Sequence, residues 1–159
     1  MSSIYTVSFA GTVTNAGGNT DLLELVPADD KPCKLRGFTI GQYSEFGDTA
    51  EEAINISVIR MTATVTSGNG TSTAGQPMDD LAAAAGFAAE VNGATVATTS
   101  GTTTTLAEFA WNLRASPYEF WWPDSEFAPL VRQASGLFVR MGSTLADDAS
   151  LACTFYIEE

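Results

Sequence analysis

The sequence has no histidine, and its 159 residues include 7 Lys and Arg against 19 Asp and Glu. Without histidine there can be no His-based catalytic triad, no imidazole proton shuttle and no His-liganded zinc or iron site. The two lysines, Lys31 and Lys34, are followed by Pro32 and Leu35, so the Gly-Lys-Ser/Thr of a phosphate-binding loop is absent. A formal net charge of −12 repels nucleic-acid phosphates, and the one basic grouping is Lys31, Lys34 and Arg36. We therefore expect no nucleic-acid partner. No stretch approaches the roughly 20 apolar residues that cross a bilayer. The opening Met1-Ser2-Ser3-Ile4-Tyr5 also lacks the basic and apolar regions of a signal peptide. The expectation is no membrane partner and synthesis in a reducing cytoplasm. There Cys33 and Cys153 read as two small buried thiols, their pairing left open by the sequence.

What the chain does contain is apolar and hydroxyl-rich. Hydrophobic residues make up 45% and charged residues 16%, which fits one globular domain over residues 1–159 with a substantial core. Period-two patterning dominates. Tyr5, Val7 and Phe9 alternate with Thr6, Ser8 and Ala10, and Leu23 and Leu25 flank Glu24 in a strand that stops at Pro27. Cys33 to Tyr43 reads as a third strand, in which Gly37 marks a bulge or a close backbone approach. Ile54, Ile56 and Val58 share one face while Ile59 and Met61 occupy the other, as in a central strand or one at a subunit contact. Ala107, Phe109, Trp111 and Leu113 form the clearest strand, and two more follow at Leu137/Val139/Met141 and Leu151/Cys153/Phe155/Ile157. Between Pro77 and Val91, Asp79 or Asp80 is positioned to cap a short helix through Ala82–Ala85 that Gly86 would end. The expected fold is all-β: an antiparallel, jelly-roll-like β-sandwich of about eight strands with one short helix.

The acidic residues do not assemble a catalytic pair. Asp29-Asp30, Asp79-Asp80, Asp147-Asp148 and Glu51-Glu52 are doublets beside turn signals, where adjacent side chains point apart. Glycoside hydrolysis needs two carboxylates at a set separation across a cleft, and no D-x-D-x-D-G calcium loop is present. Serine and threonine lack both a G-x-S-x-G elbow and a histidine base. The sequence therefore predicts a non-enzymatic protein with no catalytic residue, cofactor or metal.

The most informative local feature is Tyr118-Glu-Phe-Trp-Trp-Pro123, within an expected aromatic loop over residues 116–129. In an extended segment, consecutive Trp121 and Trp122 point to opposite faces, so at least one covers a surface other than the core. Three readings stay open: a loop folded over its own sandwich, a protein–protein contact, or a sugar-stacking platform. Apolar residues on both faces near Ile54–Met61, beside the Ala/Thr-rich Leu81–Leu106, also fit a symmetric oligomer.

At residues 26–60 the chain carries a recognisable succession. Val26-Pro-Ala-Asp-Asp-Lys-Pro32 is followed by Leu35-Arg-Gly-Phe-Thr-Ile-Gly-Gln42, then Ser44-Glu-Phe-Gly-Asp48, Glu51-Glu52 and the strand to Arg60. This resembles small tailed-bacteriophage head proteins of the decoration, or cement, type. Tyr5-Thr-Val-Ser-Phe9, Ser67-Gly-Asn-Gly70 and Thr154-Phe-Tyr-Ile-Glu-Glu159 are similar to the same group. The resemblance implies a jelly-roll-like homotrimer that binds the major capsid protein on the outer surface of the icosahedral virion. Candidate contact groups are Tyr118, Phe120, Trp121 and Trp122, the acidic loop after Tyr43, and the N-terminal Ser2, Ser3 and Ile4. The alternative is a carbohydrate-binding jelly-roll module of a fibre or attachment protein. It would use Trp121 or Trp122 as platform with Asp124 and Glu126 as hydrogen-bond partners.

Overall fold

A computed structural model of the chain describes residues 2–15, 17–44, 52–115, 117–142 and 145–159. All regular structure among these is β, and the sheets are antiparallel. In chain order the strands are β1 (Ile4–Val13), β2 (Thr20–Val26), β3 (Cys33–Gln42), β4 (Ala53–Thr62), β5 (Val65–Thr66), β6 (Thr71–Ser72) and β7 (Gln76–Pro77). They continue with β8 (Ala88–Gly93), β9 (Thr98–Thr99), β10 (Thr103–Asn112), β11 (Tyr118–Trp121), β12 (Leu130–Val131), β13 (Ser135–Met141) and β14 (Ala149–Glu158).

Two sheets carry the fold. The first runs β11-β3-β14-β1-β7, with β12 also on β3, and the second runs β10-β4-β13-β2-β8-β6. Their inward-facing residues meet in one core: Tyr5, Val7, Phe38, Phe155 and Ile157 from the first, and Leu23, Leu25, Ile56, Val58 and Val139 from the second. This is the arrangement expected of a β-sandwich. The two ends of the chain lie side by side, since β1 and β14 pair from Ile4 opposite Glu158 to Val13 opposite Ala149. The strong alternation of β1 and β14 follows from this pairing, with one face of each strand on the core and the other outside.

The apolar second face of β4 is accounted for within the chain. β4 lies between β10 and β13, and its outer residues Ile59 and Met61 pack with Phe138, Ala97 and Val65 in a second, smaller cluster. A layer built from β5, β9 and their flanking turns covers that part of the second sheet. Ile59 and Met61 are thereby removed as grounds for a subunit contact.

The layer is fastened by buried acids. β2 and β13 shift register between Val139 and Arg140, so Asp21 opposite Arg140 and Glu24 opposite Phe138 share the outer face. Asp21 receives Arg140 Nε at 2.6 Å and Nη2 at 2.9 Å, a two-pronged ion pair, and accepts the Ala97 amide at 2.8 Å. Glu24 accepts from Ser67 Oγ at 2.9 Å and the Gly68 amide at 3.1 Å, while the same hydroxyl lies 2.7 Å from Glu90 on β8.

Two expectations need correction. The short helix is absent: from Asp79 the chain makes a single turn, with Ala82 N on Asp79 O at 3.0 Å, and no residue from Asp79 to Gly86 is helical. Leu81 is 90% exposed, so there is no apolar face to anchor a helix this short. Bonds to residues distant in sequence instead hold the segment, from Tyr5 Oη to Ala83 O at 3.0 Å and from the Gly86 amide to the Glu159 carboxylate at 3.0 Å. The second correction concerns the aromatic loop, whose first part is strand β11, paired along β3 from Tyr118 opposite Ile40 to Trp121 opposite Gly37.

Cys33 and Cys153 are both buried and free. Cys153 lies opposite Ile40, seven residues along β3 from Cys33. At about 3.3 Å per residue that is roughly 23 Å, well beyond disulfide reach.

Candidate functional site

β11 sorts its aromatic residues by parity. Tyr118 and Phe120 turn inward onto Phe38 and Phe109, with Phe120 and Phe109 ring centroids 4.9 Å apart. They complete the open side of the core, each still partly exposed. Glu119 and Trp121 turn outward. Trp121 remains 48% exposed, its ring stacked on Tyr156 of β14 at 4.6 Å. The chain then doubles back, with the Trp122 amide on Arg36 O at 3.1 Å and the Trp122 ring edge-on to Phe120 at 5.0 Å. The two tryptophans therefore serve different surfaces.

Gly37 makes the position of Trp121 possible. A Cβ built there would lie 2.6 Å from Trp121 Cε3, so only glycine lets the indole lie flat across β3. A register shift between Tyr156 and Ile157 opposite β3 leaves Arg36 as the extra residue. Its guanidinium meets Glu158 at 2.7 Å. The hydrogen bond from Arg36 holds the Glu158 carboxyl below the usual carboxylate range, with Ser2 adding a further hydrogen bond.

The N-terminal residues come to the same sheet. Ser3 and Glu159 exchange backbone hydrogen bonds at 2.9 and 3.0 Å, and Ile4 lies opposite Glu158. Only β3 and β14 separate β1 from β11, about 14 Å at a strand spacing of about 4.8 Å. Ser2–Ile4 and Trp121, distant in sequence, thus border one outer face. Further along that face lies a shallow depression of about 480 Å³, lined by Ser8, Ala10, Thr39, Gly41, Ala152 and Thr154 among others. None of its lining residues is charged, although the chain carries −12.

The candidate surface is therefore the outer face of the first sheet: an uncharged floor of small side chains, the exposed Trp121–Tyr156 pair, and the Arg36–Glu158 ion pair. Tyr156, Arg36 and Glu158 were not among the sequence candidates. Their outward positions follow from the alternation of β14 and from the bulge in β3, and the first of these signals was present in the pattern. The acidic loop after Tyr43 lies, from Glu45 to Glu51, outside the described residues. Asp124 accepts the Glu126 amide at 3.4 Å within a turn, so it is partly engaged by its own loop. The described residues hold no group of three or more Cys, Asp or Glu placed to bind a metal ion. No family model matches the chain, and neither a curated protein nor a solved structure matches it significantly.

Proposed function

We propose that this chain is a non-enzymatic capsid decoration protein, a jelly-roll homotrimer that binds the major capsid protein on the outer surface of an icosahedral phage head. The strand order supports the jelly roll. With the two-residue strands and β8, which extends the second sheet beyond β2, set aside, β1, β2, β3, β4, β10, β11, β13 and β14 read 1-8-3-6 and 2-7-4-5. Two Greek keys wound together give this interleaving, in which successive strands alternate between sheets except at the directly paired strands 4 and 5.

The observation that carries the interaction reading is the outer face of the first sheet. An exposed tryptophan braced on a tyrosine is the usual composition of an interface anchor. The uncharged floor beside it lets an acidic surface approach another protein without charge repulsion. A standard interface buries ~1,600 Å² in total, and repetition of modest contacts around a shell multiplies their effect. The mechanism is interfacial: each trimer bridges neighbouring capsid subunits and resists their separation.

Co-sedimentation with heads stripped of decoration tests the proposal. Wild-type protein pellets with the heads, Trp121→Ala pellets weakly, and light scattering reports a trimer. Failure of wild type to pellet, or a stable monomer at high concentration, contradicts it. The exposed ring of Trp121 also favours a second reading, a carbohydrate-binding module. Glycan binding lost in Trp121→Ala with assembly intact selects that reading, and an empty glycan screen removes it.

A further inference from the structure

The chain has seven cationic side chains, and most are satisfied internally. Lys31, Arg36 and Arg140 are in ion pairs, and Lys34 Nζ donates to Ser125 O and Oγ at 3.2 and 3.1 Å. Arg60 and Arg132 form no salt bridge among the described residues, yet both line one cavity of about 420 Å³. Arg60 shares its parity on β4 with Ile54, Ile56 and Val58, all core residues. It therefore lies on the inner side of the sheet, at the strand end where the apolar core gives out. Arg132 enters the cavity just after β12.

Leu106, Trp122, Phe127 and Pro129 also line this cavity, and Glu126 is its one acid, in no ion pair with either arginine among the described residues. Phe127 is 69% exposed, so an apolar surface stands at the rim. The Trp122 ring lines this space, while its indole N–H is turned away from solvent and has no acceptor among the described residues. Two guanidinium groups with no ion pair among the described residues, beside apolar side chains in an open space of small-ligand size, describe a receptor for an anion with an apolar body.

We propose that this cavity binds a small organic carboxylate. Arg60 and Arg132 hold the carboxylate, and its flat or apolar body lies against Leu106, Trp122 and Phe127. The site does not use Trp121 or the outer face of the first sheet, so it stands apart from the head-binding reading.

Benzoate is a suitable probe, with benzyl alcohol as its uncharged counterpart, titrated into ¹⁵N-labelled full-length protein. The expected result is a saturable shift of the Trp122 indole resonance with benzoate and none with benzyl alcohol. Arg132→Gln, an exposed substitution, should weaken benzoate about tenfold or more, as loss of a charge-assisted hydrogen bond does. Arg60→Gln should do the same, its fold checked by an otherwise unchanged spectrum. An absent or non-saturating shift at Trp122 overturns the proposal. So does equal binding of benzyl alcohol, or undiminished benzoate binding by Arg132→Gln.

Discussion

The indole of Trp121 covers Gly37 on the neighbouring strand so closely that a Cβ on Gly37 would come within 2.6 Å of its ring and 2.5 Å of the Phe120 carbonyl oxygen. The glycine and the tryptophan are thus one structural unit, with Tyr156 bracing the ring from the next strand. Gly37→Ala should push Trp121 off the sheet and destabilise the protein by about 1–3 kcal/mol, as overpacking does. Trp121→Ala should leave the fold nearly as stable as wild type, because the ring covers the sheet from outside. Thermal unfolding of the two variants checks the contrast. A stable Gly37→Ala with unchanged tryptophan fluorescence would refute it.

The Asp21–Arg140 pair is buried, with side-chain exposures of 0% and 12%. Asp21→Ala leaves a guanidinium without its carboxylate under the covering layer and should cost about 3–5 kcal/mol. Removing both charges should cost less than the two single changes added together. Urea unfolding of the singles and the double variant measures this coupling, and additive single effects would show that the pair is not coupled.

Glu24 and Glu158 should respond to pH in opposite senses. Burial raises the Glu24 carboxyl above the ordinary carboxylate range, against the hydrogen bonds from Ser67 and Gly68 and with the help of the Asp21 and Glu90 charges. The folded state then binds this proton more tightly than the unfolded chain does, so stability falls as pH rises through the window above 4.5. Glu24→Gln should therefore gain on wild type as the solution becomes neutral and lose that advantage in acid. The Glu158 carboxyl is lowered by Arg36. Its contribution is complete above the unfolded value and disappears as pH falls through the folded one. Arg36→Gln should remove that acid-sensitive part. Unfolding midpoints across the acid range test both, and parallel pH curves for wild type and Glu24→Gln would contradict the first.

The cysteines should be chemically silent in the native state. Burial pushes the Cys33 thiol up to about 12 and raises Cys153 as well, so little reactive thiolate exists near neutrality. A thiol reagent should label neither in native buffer and both after denaturation, with no change in mass on reduction. Rapid native labelling of Cys153 would show that the β3–β14 region opens readily.

Much of the fold was legible because one face of each long strand is buried. β1, β10, β13 and β14 announce themselves through alternation, and Pro27 and Gly37 mark a strand end and a close approach correctly. What escaped is governed by partners distant in sequence. Ala82–Ala85 favour a helix locally, but Tyr5 and Glu159 bind the backbone there and nothing covers Leu81. Tyr118–Trp121 carries its own period-two pattern, yet the adjacent Trp122 and Pro123 disguise it as loop. Of the candidate surface, Trp121 and Ser2–Ile4 were visible separately. Their placement on one face depends on the β11-β3-β14-β1 order, which local spacing does not encode. The seating of Glu24 and Asp21 beneath a covering layer depends in turn on a bulge between strands far apart in the chain.

The most direct test is a cryo-electron-microscopy map of phage heads reconstituted with this protein. The account predicts trimeric density on the outside of the shell, at three-fold or local three-fold positions, with the Trp121 face of the first sheet buried against capsid or a sister subunit. Heads that carry no added density, or density in which Trp121 and Tyr156 face open solvent, would contradict it.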